Sequence, residues 1–99
     1  MHYIKVLWLH GRPDDPIMLY SECDDDGWEI RKVEVFPDGS FVSTDEEYNG
    51  HGTGLGLEPI PSLDEISKSP NFQPSKIEKA DFEKVWSKAK KNVSQRPRL

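Results

Sequence analysis

Asp24, Asp25 and Asp26 stand in a row before Gly27, and the stretch that follows, Trp28 to Phe36, reads as a buried strand. Three adjacent carboxylates suit one of three uses: they hold a metal, shape a turn, or face a positively charged partner. A calcium loop of the EF-hand kind needs acidic ligands at alternate places, then glycine, then a bidentate glutamate. With Gly27 in the glycine place, Glu22, Asp24 and Asp26 fall on ligand places. The glutamate place, however, is taken by Val33, and Glu34 misses it by one residue. For zinc, His2, His10, His51 and Cys23 lack the short paired spacings of a structural site. No metal or other cofactor is expected. The turn reading needs only Asp26-Gly27. Asparagine or serine at the two preceding positions would serve a turn without mutual repulsion.

Other reactive types are scattered. Cys23 is the single cysteine, so no internal disulfide forms, and its acidic neighbours raise a thiol pKa rather than activate it. His10, His51 and Ser21 could be assembled with several carboxylates into many triads, and spacing selects none. Gly50, Gly52, Gly54 and Gly56 alternate around His51, but no helix start follows at once, as a phosphate cradle requires. A small enzyme or ligand-binding domain using the His51 loop is therefore an alternative, not the leading reading.

The net charge of −5 is unevenly placed. Residues 1–60 carry 13 acidic and 4 basic side chains, and residues 61–99 carry 5 acidic and 9 basic ones. The acidic excess recurs at connections: Asp14-Asp15, Asp24-Asp25, and Asp45-Glu46-Glu47. Such a surface repels nucleic-acid phosphates and attracts basic proteins. These seven residues are the candidate partner-binding set. Lys84, Lys88, Lys90 and Lys91 read as a solvated helix face. No apolar run approaches the roughly 18 residues of a membrane span, and the first residues lack the blocks of a signal peptide. A cytoplasmic location is expected.

The elements that must position these residues follow from patterning. His2 to Leu9 has apolar residues on both parities, as in a central strand. Ile17 to Glu22, Trp28 to Phe36 and Ser40 to Thr44 are further strands, joined by turn-rich segments at His10–Pro16, Cys23–Gly27 and Pro37–Gly39. Alternation fails near Arg31-Lys32, which fits either a β-bulge that restores one apolar face or a strand buried on both faces at different points along its length. Ser62 to Glu65 is a capping box opening a short helix that stops before Pro70. Asn71 to Ile77 reads as a bridge. From Lys79, the residues Phe82, Val85, Trp86, Ala89 and Val93 make the apolar stripe of an amphipathic helix. The expected fold is α+β: an antiparallel meander of about four strands with two C-terminal helices, the longer packed on one sheet face. Residues 1–93 form a single domain and 94–99 a disordered tail.

The segments YIKVLWLH, LYSECDDDGWEIRKVEVFPDG and GLEPIPSLDEI…FQPSKIEKADFEKVW resemble a family of small bacterial domains of unknown function, over residues 2 to about 90. Some members of that family are associated with polymorphic toxin loci, where small acidic immunity proteins bind a partner toxin. The resemblance implies one compact domain and carries over no catalytic residues to this chain. Together with the charge, it leads to the expectation of a non-enzymatic inhibitor, an immunity protein that occludes the basic cleft of a toxin such as a nuclease. A mobile-element inhibitor of a host defence complex would look the same electrostatically.

Overall fold

The computed structural model describes residues 1–45 and 59–92. The first strands are β1 (His2–Trp8), β2 (Met18–Cys23), β3 (Glu29–Val35) and β4 (Phe41–Thr44), followed by helix α1 (Leu63–Ser67), strand β5 (Phe72–Ile77) and helix α2 (Lys79–Asn92). The strands form one sheet in the order β4-β3-β2-β1-β5, every neighbouring pair antiparallel. The α+β arrangement is as the patterning predicts, with one addition. The Asn71–Ile77 bridge is a fifth strand, paired along β1 from Tyr3↔Ile77 to Trp8↔Phe72. Its sequence is polar and carries Pro74, which an edge strand tolerates and a central one does not. β5 is also what makes β1 an interior strand, as its two apolar faces require.

The two hairpin turns share one construction. In each, a glycine N–H closes a tight turn, Gly27 to Asp24 O at 3.0 Å and Gly39 to Phe36 O at 2.9 Å. Both glycines take φ near +88° and +87°, a region open to glycine at little cost.

One face of the sheet carries Tyr3, Tyr20, Val33, Val35, Phe41 and Ile77 against Phe82, Val85, Trp86 and Ala89 of α2. Phe82 and Ala89 are fully buried, and the ring of Phe82 lies 5.5 Å from that of Tyr3 and 6.2 Å from that of Trp86. Val93, the last residue of the expected stripe, lies outside the described residues, as do residues 94–99. The other face carries Ile4, Val6, Cys23 and Val42, all buried. There α1 sits beside β5, with Ile66 across a hollow from Val6, Leu19 and Phe72. Ser62 caps α1 by accepting the Glu65 N–H at 3.2 Å. The Glu65 carboxylate does not reach back to complete the box, because it pairs with Lys68 at 3.0 Å.

The bulge is real, but it does something other than unite the apolar residues of β3. Cys23 faces Glu29 while Glu22 faces Arg31, so Ile30 is the extra residue. The shift falls just before Arg31, which shares the α2-covered face with Val33 and Val35 by regular alternation, and it brings Glu29 opposite Cys23.

Candidate protein-binding site

The β2–β3 turn is built by the first of its three aspartates. Asp24 Oδ1 accepts the N–H groups of Asp26 and Trp28, each at 2.9 Å, a side chain standing in for a turn carbonyl. An asparagine amide oxygen at this position would accept the same two bonds. Charge is therefore not what the fold demands. The equivalent place in the β3–β4 turn holds Phe36, which makes the same backbone bonds.

The next two carboxylates project outward. Asp25 is exposed and meets the α-amino group of Met1 at 3.0 Å, and that ammonium holds its carboxyl below the usual range. Asp26 is exposed, and its carboxylate has no hydrogen bond or ion pair among the described residues. Gly27 N–H and C=O are both committed, the carbonyl accepting from Ile60 N at 2.8 Å, which ties the turn to the segment leading into α1. A groove of about 400 Å³ lies between them, lined by His2, Ile4, Asp25, Asp26, Ile60 and Leu63 among others. Trp28, which follows the turn, is 42% exposed. The strand pattern places it in the core. At the tip of a hairpin, however, no layer of the described residues covers it.

The seven predicted acidic residues do not form one surface. β1 and β2 run antiparallel, so Asp14 and Asp15, which connect them, lie at the opposite end of the sheet from Asp24 and Asp25, a strand length of roughly 20 Å away. Asp45 follows β4 at the same end as the β2–β3 turn. Asp15 pairs with Arg12, whereas Asp14 is exposed. Glu46 and Glu47 lie outside the described residues, as does the Gly50–Gly56 loop with His51. Asp26 and Trp28 were not in the predicted set. Asp26 could have been included from its equal membership of the run, whereas the exposure of Trp28 had no sequence signal.

The potential catalytic residues are occupied locally. Arg12 N–H donates to His10 Nδ1 at 2.9 Å, and His10 Nε2 lies 2.7 Å from Pro16 O, so this ring staples the β1–β2 connection. Ser21 Oγ donates to Glu29 Oε2 at 2.8 Å. Cys23 is fully buried, and desolvation, with Glu29, Asp24 and Glu22 nearby, pushes its thiol up to about 11. Among the described residues no group of three or more His, Cys, Asp or Glu side chains is gathered as metal ligands would be.

A model of a domain of unknown function, DUF6881, matches residues 2–91. The chain belongs to the DUF6881 family. Comparison of this DUF6881 domain with curated proteins and with solved structures returns no match. Its functional reading therefore rests on its own geometry. Among the described residues, the β2–β3 hairpin combines unpartnered charge, an exposed indole and a groove. No helix among the described residues is long and apolar enough to cross a membrane.

Proposed function

We propose that this domain is a non-enzymatic protein-binding module that inhibits a basic partner by covering it, acting as an immunity protein toward a toxin in the bacterial cytoplasm. The observation that carries the reading is Trp28, 42% exposed on a hairpin whose outward carboxylates are Asp25 and Asp26. Tryptophans exposed in this manner are the usual anchors of protein interfaces. Carboxylates around such an anchor orient a basic partner and speed encounter. Asp45, at the same end, belongs to this surface. Asp14 and Asp15, at the other end, contribute long-range attraction only.

The test is association kinetics with the polypeptide encoded beside this gene, across a salt series. Asp25→Asn with Asp26→Asn should slow association by about tenfold or more at low salt and flatten its salt dependence. Trp28→Ala should chiefly speed dissociation. Wild-type rates for both variants, with folding intact, would remove this end of the sheet from any interface.

A further inference from the structure

Helix α2 does not cover the whole of its sheet face. It starts beside Ile77 at the end of β5 and packs across to β4, leaving a groove of about 570 Å³ along one flank, lined by Lys5, Tyr20, Ile77, Asp81, Lys84, Val85 and Lys88. One wall is the sheet, where Lys5 and Tyr20 are directly opposite each other on β1 and β2. The other wall is the helix, where Lys84 and Lys88 are exposed one turn apart. Ile77, Val85 and the half-buried Tyr20 ring supply an apolar surface. In a chain of net charge −5, this is a local concentration of cations. Lys5 and Lys84 have no ion pair among the described residues. Asp81 also lines the groove, but its carboxylate accepts the Glu78 N–H at 3.0 Å as the cap of α2.

We propose that this groove docks an extended acidic segment of a partner protein, with carboxylates at alternate positions. Charge complementarity selects the sign, and helix geometry selects the spacing. Residues four apart on a helix are separated by about 6 Å along its axis, and alternate side chains of an extended strand by about 6.6–6.8 Å. Two carboxylates at alternate positions therefore reach Lys84 and Lys88 together. The residue between them points to the other wall, where Tyr20 and Ile77 accept an apolar side chain and Lys5 a further carboxylate. The surface is opposite in sign to the Trp28 hairpin and on a different part of the sheet. The domain would thus carry two docking faces, and this one stands whether or not the first does.

Fluorescence anisotropy with labelled synthetic peptides tests it. The probe is Gly-Ser-Glu-Leu-Glu-Ser-Gly, against Gly-Ser-Glu-Glu-Leu-Ser-Gly of equal charge and against Gly-Ser-Lys-Leu-Lys-Ser-Gly. The alternating acidic peptide should bind saturably and about five- to tenfold more tightly than the adjacent-carboxylate peptide, with the basic peptide not binding. Lys84→Glu with Lys88→Glu should abolish binding, and Tyr20→Ala should weaken it. Asp25→Asn with Asp26→Asn should leave it unchanged. The lysine changes lie on an exposed helix face, and thermal melting confirms that each variant is folded. Equal binding of the two acidic peptides, undiminished binding to the Lys84/Lys88 variant, or no saturable binding would overturn the proposal.

Discussion

Arg31 grips Glu22 through two parallel hydrogen bonds, Nε to Oε1 at 2.7 Å and Nη2 to Oε2 at 2.9 Å, on the face of the sheet that α2 covers. The same guanidinium bonds Glu83 of α2 at 2.8 and 3.2 Å and lies 4.9 Å from the ring centres of both Phe82 and Trp86. Tyr3 completes the knot by donating its hydroxyl to Glu22 at 2.9 Å. One side chain thus joins β2, β3 and the helix.

Removing one partner from this knot should cost far more than its solvent-facing edge suggests. Arg31→Ala leaves the Glu22 carboxylate, only 8% exposed, without its counter-charge, a loss of about 3–5 kcal/mol. Glu83 is 40% exposed, and Glu83→Ala should cost about 1 kcal/mol or less. Urea unfolding at neutral pH measures both. Equal losses would mean that the helix-side bonds, not the Glu22 pair, secure the contact.

Acid should loosen the same contact. Hydrogen bonding to Arg31 is the chief cause that lowers the pKa of Glu22 and of Glu83. The folded chain therefore binds fewer protons at these sites than the unfolded chain. Their stabilisation is complete above the ordinary glutamate value of about 4.3 and is lost as pH falls below it. Melting temperature measured from pH 7 down to pH 3 should drop below about pH 4.5. Glu22→Gln should show a shallower drop from a lower start, and a parallel drop would place the acid sensitivity elsewhere.

Cys23 should be inert while the domain is folded. With its thiol pushed up to about 11 and fully buried, it should not react with a disulfide reagent at pH 8, and should react at once in denaturant. Because the unfolded thiol ionises near pH 8.5, stability should also decline as pH rises above that value. Rapid labelling of the native protein would show that the strand end opens.

Phe82, not Trp86, should be the costly aromatic of α2. Phe82 is fully buried, and Phe82→Ala should cost about 3–5 kcal/mol. Trp86 is half-buried and lies over Arg31 and 5.3 Å from Lys90 Nζ, so Trp86→Ala should cost about 1.5–3 kcal/mol. Thermal melts of the two variants decide the order.

Much of this architecture is written in short-range pattern. Gly27 and Gly39 mark both hairpins, the spacing of Phe82, Val85, Trp86 and Ala89 marks the long helix, and Ser62 marks the start of the short one. Such signals are local: a φ above zero, a period near 3.6 or an orphan N–H needs only a few neighbouring residues. β5 escaped because its strand character comes from pairing with β1, some seventy residues earlier in the chain, while its own residues are polar and include a proline. The acidic site was half legible. The Asp24–Asp26 run was visible, but the antiparallel course of β1 and β2 sends Asp14 and Asp15 to the other end of the sheet.

The sequence by itself determined the class of fold, the turns, the core face of α2 and the sign of the surface charge, because each depends on residue type and near-neighbour spacing. The tertiary structure alone decided that Ile30 is the bulged residue and that Arg31 meets both Glu22 and Glu83. It alone decided that Trp28 stands uncovered beside Asp25 and Asp26, and that Lys5 comes to share a groove with Lys84 and Lys88. These are relations between residues distant in the chain. They are settled by strand register and by how far one helix reaches across a sheet, which no local pattern encodes.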